Sequence, residues 1–170
     1  MSNIQRRDFI KGAVAAGITG VAISRPGTSL AGSDKYHYEF VRTEAEWRAM
    51  LDEETYKIMR EGDTEFPKTS DLWDDYRAGK FDCIACELPL YTSKWRADID
   101  KGWVFFRQSE PDAIHLGIGG KIPEGMADAS TRDSTLINCR RCGSHLGHMV
   151  IIEGEIINCI NGRALKFHPA

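Results

Sequence analysis

Asn138-Cys139-Arg140-Arg141-Cys142-Gly143-Ser144-His145-Leu146-Gly147-His148 is the stretch on which the fold turns. It joins a CxxC pair to two imidazoles that bracket a glycine. Upstream lies a second pair, Cys83-Ile84-Ala85-Cys86; downstream, 11 residues after His148, comes Cys159-Ile160-Asn161. Each CxxC offers two thiolates from one tight turn, so two of them can grip one metal ion from two sides. Four sulfurs and no other ligand favour a closed tetrahedral zinc site, which is structural and does not activate water. The 52 residues between Cys86 and Cys139 suit knuckles carried on neighbouring hairpins of a sheet. Two disulfides and an iron–sulfur cluster are the rival uses of four cysteines. A redox CxxC belongs in a βαβ setting, which the sequence lacks.

Around these pairs the pattern is one of short apolar runs broken by Gly, Pro and Asp. Strands are predicted over 80–83, 88–91, 104–107, 113–116, 135–138, 147–153, 155–159 and 165–167. No helix separates them, so a mainly β core is expected, sandwich- or barrel-like, with small helices ahead of it. The Gly- and Asp-rich segment 117–133 reads as a loop. Ahead of the strands, Thr43 and Glu46 form a capping box, and Trp47, Met50 and Leu51 share one helical face. Asp52 can cap a second short helix carrying Tyr56, Ile58 and Met59, which Gly62 stops.

The first 31 of the 170 residues are a different material. Arg6-Arg7-Asp8-Phe9-Ile10-Lys11 precedes a Gly- and Ala-rich apolar stretch, and Ser29-Leu30-Ala31 fits a small-x-small cleavage site. The paired arginines resemble a twin-arginine export signal, so residues 1–31 are expected to be a signal peptide and 32–170 the mature domain, working in the periplasm or otherwise exported. Removing that segment takes away four basic residues and one acidic one, and moves the net charge from −3 to −6. Such a balance argues against nucleic acid and anionic membrane surfaces as partners. No apolar run reaches 18 residues, so no membrane insertion is expected once the signal is removed.

Cys159 is the odd cysteine left after the CxxC pairs. It reads either as a small buried hydrophobe at a strand end or as a nucleophile. His145 and His148 could lower its pKa or donate a proton, and Asn161 shares its side of a strand.

Taken in order, these pieces resemble the type B peptide-methionine (R)-S-oxide reductases over roughly residues 47–169. Gly62-Asp63-Thr64-Glu65 is similar to the family's GTE element, Gly102-Trp103 to its GWPSF, His145–His148 to its HLGH, Cys159-Ile160-Asn161 to the core of its RYCINS, and Leu165–Pro169 to its closing LxFxP. The resemblance implies two small antiparallel sheets, tent-like, with a structural zinc on Cys83, Cys86, Cys139 and Cys142. It implies Cys159 as the nucleophile on the sulfoxide sulfur, His145 and His148 as proton donors, and Asn161 as an orienting group. Trp103 and Phe105 would bind substrate. Methionine-oxidised proteins or peptides would be the substrates, and an external, thioredoxin-like thiol the reductant. The alternative is a zinc-stabilised binding module with little or no reductase activity. The chain departs from the family pattern at several points. Ile157 and Asn158 stand where the family has Arg and Tyr, so a cation that would favour a thiolate is missing. Val104-Phe105 replaces Pro-Ser, Gly162 replaces Ser, and the stretch from His148 to Cys159 is short. Lys101 occupies a frequent position of a resolving cysteine.

Overall fold

In the computed structural model, residues 36–118 and 135–170 are described. The predicted signal peptide, and residues 119–133 of the predicted loop, lie outside them. Two short helices come first. Helix α1 (Glu44–Met50) starts at the expected capping box: the Thr43 hydroxyl accepts from the Glu46 N–H, and the Glu46 carboxylate accepts from the Thr43 N–H. Helix α2 (Glu53–Glu61) is capped by Asp52, which accepts from the Thr55 N–H at 2.9 Å, and ends at Gly62 in the left-handed region with φ 76°. Each such cap stabilises by about 1 kcal/mol. Trp47, Tyr56, Ile58 and Met59 are buried as the pattern requires, whereas Met50 is exposed. With only seven residues, α1 touches the core through Trp47, and Met50 is carried past the edge of the contact.

Eight strands follow: β1 (Gly79–Cys83), β2 (Pro89–Thr92), β3 (Val104–Phe106), β4 (Ile114–Ile118), β5 (Thr135–Cys139), β6 (His145–Ile152), β7 (Glu155–Ile160) and β8 (Leu165–Pro169). They form two antiparallel sheets, in order β2-β1-β8 and β3-β7-β6-β5-β4. The mainly β expectation therefore holds. Element edges moved where pairing decides them. Gly117 and Ile118, read as the start of a loop, extend β4 because they pair with Leu136 and Thr135. Strand β6 begins at His145, two residues early, because a bulge lets His145 pair with Asn138.

Strand alternation divides the five-stranded sheet into two faces. Val104, Phe106, Ile137 and Ile160 lie on one face and join the main core with Trp47, Met59, Phe81, Leu90 and Tyr91. Phe105, Val150, Ile157 and Cys159 lie on the other, in a smaller cluster closed by Ala97 and Trp103. The lone cysteine thus stands on the face turned away from the main core.

Candidate active site and metal centre

The two CxxC segments fold into the same turn. The Cys83 N–H donates to Leu88 O and the Glu87 N–H to Cys83 O; likewise the Cys139 N–H donates to Ser144 O and the Gly143 N–H to Cys139 O, at 2.8–2.9 Å throughout. Glu87 and Gly143, each four residues past the first cysteine, take positive φ (58° and 72°) to close the loop. One knuckle follows β1 of the smaller sheet and the other follows β5 of the larger. Arg141 ties them together by donating to Cys86 O at 2.9 Å, and Arg60 of α2 donates to Cys142 O at 3.3 Å.

The four sulfurs lie within 4.8 Å of one another, all buried. Cys83 and Cys142 are 3.8 Å apart, Cys86 and Cys139 3.5 Å. A tetrahedral zinc at about 2.3 Å from each thiolate would set its sulfurs about 3.8 Å apart, so the donor set fits that ion. None of the five cysteines is in a disulfide. The four cysteines are positioned to bind a metal ion.

The second constellation forms on the far face of the larger sheet. Cys159 on β7 is flanked directly by Phe105 on β3 and His148 on β6. Directly opposed residues in an antiparallel pair have Cβ atoms about 5 Å apart, close enough for ring and sulfur to meet. Trp103 packs in the same cluster. His145 touches His148 edge-on, with ring centroids 5.1 Å apart. Cys159 is only 4% exposed. Burial pushes its thiol well above the ordinary range, and the Glu65 carboxylate adds to the shift. Burial pushes both imidazoles down, His145 to about 4 with help from His148. At neutral pH the site is therefore a neutral thiol beside neutral imidazoles. The Nε2 of His145 is buried and has no hydrogen-bond partner among the described residues.

Asn161 sits just beyond β7 and is spent on backbone. Its Nδ2 donates to Leu146 O at 3.0 Å, and its Oδ1 accepts from the Glu65 N–H at 3.2 Å. Phe105 is wholly buried beside Cys159.

One residue that sequence reasoning left out of the site is Glu65. Its carboxylate accepts from the Gly162 N–H (2.7 Å) and the Arg163 N–H (3.0 Å), in the 3₁₀ turn that leads from β7 into β8. Its carbonyl accepts from Trp103 Nε1 at 3.2 Å. Burial raises its carboxyl pKa, while the two backbone donors pull it down. Glu65 thereby clamps the segment after the cysteine and holds the indole over the cluster. The signal for it was the Gly62–Glu65 element itself.

Gly147 allows the cysteine strand to approach. A Cβ there would lie 2.0 Å from Cys159 O and 2.9 Å from Ile160 Cα. The HLGH spacing thus serves the backbone as much as the imidazoles.

Residues 51–169 match the SelR domain family. The chain is 37% identical over 132 residues to the peptide methionine sulfoxide reductase MsrB of Thiobacillus denitrificans, spanning 75% of this chain and 94% of that protein. It is 35% identical over 134 residues to peptide methionine sulfoxide reductase B5 of Arabidopsis thaliana, spanning 76% and 89%. A third relative, MsrB of Leifsonia xyli subsp. xyli, is 36% identical over 141 residues, spanning 79% and 95%.

Proposed function

Since the chain belongs to the SelR family and is a peptide methionine sulfoxide reductase, we propose that Cys159 carries the reaction and that the R epimer is the substrate. The Cys159 sulfur attacks the sulfoxide sulfur as the S–O bond breaks, and the oxygen leaves protonated. Water then attacks the Cys159 sulfur of the resulting thiosulfonium, the new S–S bond breaks, methionine departs, and Cys159 is left as a sulfenic acid. An external thiol then condenses with that sulfenic acid, releasing water and leaving a mixed disulfide. A second thiol of the reductant frees Cys159. The chain has no resolving cysteine to offer, since its other four cysteines form the cluster positioned to bind a metal ion, so both electrons come from outside.

The observation that carries this reading is the register that sets His148 directly opposite Cys159. An alkoxide-like sulfoxide oxygen is a poor leaving group until protonated, and an imidazole beside the nucleophile can supply that proton. Trp103 and Phe105 offer apolar walls for the S-methyl group. Asn161 acts by position: it links the cysteine strand to the Glu65 segment and so to Trp103. Zinc in the four-cysteine site would brace the two sheets against each other and would supply no chemistry to the sulfoxide. Arg6-Arg7 and the segment that follows support export by the twin-arginine route, with the mature domain repairing oxidised methionine in exported proteins.

Purified mature protein, given a chemical dithiol, is expected to reduce the R epimer of a methionine sulfoxide peptide and to spare the S epimer. Cys159→Ser should abolish turnover with metal content unchanged. One observation favours a second reading, a binding module on this scaffold: the buried thiol lacks the family's neighbouring arginine, Ile157 standing in its place. Folded, metal-loaded protein inert on both epimers would select that reading.

A further inference from the structure

Beside the cysteine, on the same face of the sheet, runs a groove of about 400 Å³. One wall is the loop Asp98-Ile99-Asp100-Lys101. The other is the end of the β6–β7 hairpin, which turns in two residues, Glu153 and Gly154, both with positive φ (53° and 83°). The floor is apolar: Ile99, Ile152 and Ile157. Ile99 and Ile152 pack on the cluster that contains Cys159 and Trp103, and Ile157 belongs to it. The groove is therefore continuous with the nucleophile's own packing.

Its rim is charged and unbalanced. Asp98, Asp100, Glu153 and Glu155 face Lys101 and Arg107, four carboxylates against two cations. Two of the carboxylates have partners: Arg107 with Glu155 at 3.2 Å, and Lys68 from outside the rim with Asp100 at 2.9 Å. Asp98 and Glu153 take part in no salt bridge among the described residues and are exposed at the groove edge.

Spacing sets what can lie there. Ile157 precedes Cys159 by two strand residues, about 6.8 Å along β7. In an extended substrate peptide the side chain two positions from the oxidised methionine points the same way as the sulfoxide and stands the same distance from it. We propose that this groove is a subsite for that residue and selects a lysine or arginine there: the alkyl stem lies on Ile152 and Ile157, and the cation reaches Asp98 and Glu153. Long basic side chains bury their methylenes on apolar surface while the charge stays at the wet rim. The inference rests on the proposed reductase reading and adds a sequence preference to it.

The test uses the mature, metal-loaded enzyme and pentapeptides with a central methionine (R)-sulfoxide. Lysine, glycine or glutamate is placed two positions before or after it, with glycine elsewhere. In one of the two orders, kcat/KM is expected to rank lysine over glycine over glutamate, with about a tenfold span at low ionic strength. The span should shrink near 0.5 M salt, where exposed charges are screened within a few ångströms. The double variant Asp98→Asn, Glu153→Gln should flatten the ranking and leave the glycine peptide unaffected. Equal turnover of all three peptides in both orders, with the glycine peptide active, overturns the subsite alone. No turnover of any peptide overturns the reductase reading and the subsite with it.

Discussion

Gly147→Ala probes the link between fold and chemistry most directly. The added Cβ would sit 2.0 Å from Cys159 O and within 3.0 Å of two backbone atoms of the facing strand. No rotamer relieves this contact, because everything it meets is main chain. To restore even 3.0 Å, β7 must retreat from β6 by about 1 Å at the cysteine, against an ordinary strand spacing of about 4.8 Å. Overpacking of this kind destabilises by roughly 1–3 kcal/mol, within what a folded domain can bear. The kinetic effect is larger in its consequence, since a misplacement of about 1 Å at reacting groups can lower the rate about a hundredfold. Gly117→Ala is the matched control: among the described residues its Cβ meets nothing closer than 3.6 Å. The assay is kcat/KM on an R-sulfoxide peptide, alongside metal content and thermal unfolding. We expect a loss of about a hundredfold for Gly147→Ala, with the metal retained, and near wild-type turnover for Gly117→Ala. Full activity in Gly147→Ala would refute the claim that the spacing of β6 and β7 sets the site.

Ile157→Arg should restore a cation beside Cys159, with the groove and its carboxylates to receive the guanidinium; a fall of one to two units in the thiol pKa, about 1.4–2.7 kcal/mol, should raise iodoacetamide alkylation at pH 7 by ten- to a hundredfold, and an unchanged rate in folded protein counts against it. Cys83→Ser should release the metal and unfold the domain at ordinary temperature, because a structural metal held by these four cysteines would couple its binding to folding, whereas Cys159→Ser should keep a full metal complement; metal analysis and circular dichroism read both. Acid should weaken the fold in a defined window. His145 binds its proton near pH 4 when folded and near 6.5 when unfolded, so the unfolded chain gains protons first as pH falls, and stability present above pH 6.5 is lost progressively down to pH 4, by about 3 kcal/mol at most. Urea midpoints at pH 7 and pH 5 should therefore diverge less in His145→Gln than in the wild type.

The strands were legible because they are short apolar runs between Gly, Pro and Asp, and that pattern survives without tertiary context. Their edges were not, because pairing across strands sets them. Gly117 looks like loop by composition yet pairs with Leu136, and His145 enters β6 only through a bulge. The face of a seven-residue helix was underdetermined for a similar reason, and Met50 fell outside the contact. Of the site, the metal knuckles could be read from spacing alone. The opposition of His148 and Cys159 could not, since it follows from a hairpin whose two-residue turn at Glu153-Gly154 fixes the register. Glu65 escaped because its partners at Gly162 and Arg163 are nearly a hundred residues away; the Gly62–Glu65 element marks the residue but not what its carboxylate binds. The burial of Cys159 was one of two readings open from the sequence, and what decides it is Trp103 and Ala97 closing a second, smaller cluster.

That burial has a consequence for the order of events. Burial and Glu65 hold the proton on Cys159, and burial keeps both imidazoles neutral. The free site thus holds neither a ready nucleophile nor a ready acid. Moving one proton from the sulfur to His148 would create both at once, a thiolate and an imidazolium across one pair of strands. In the empty site that ion pair is disfavoured from both ends. A sulfoxide brings a strong S–O dipole whose sulfur faces the thiolate and whose oxygen faces the imidazolium, so substrate stabilises the charged pair where solvent does not. Reactivity toward sulfoxide is then uncoupled from reactivity toward small alkylating agents. Between pH 6 and 8 the resting enzyme should alkylate more slowly than free cysteine while kcat/KM for the R-sulfoxide stays nearly level. A kcat/KM that climbs tenfold per pH unit in step with alkylation would mean that a preformed thiolate does the work, and the proton would then have to come from somewhere other than Cys159.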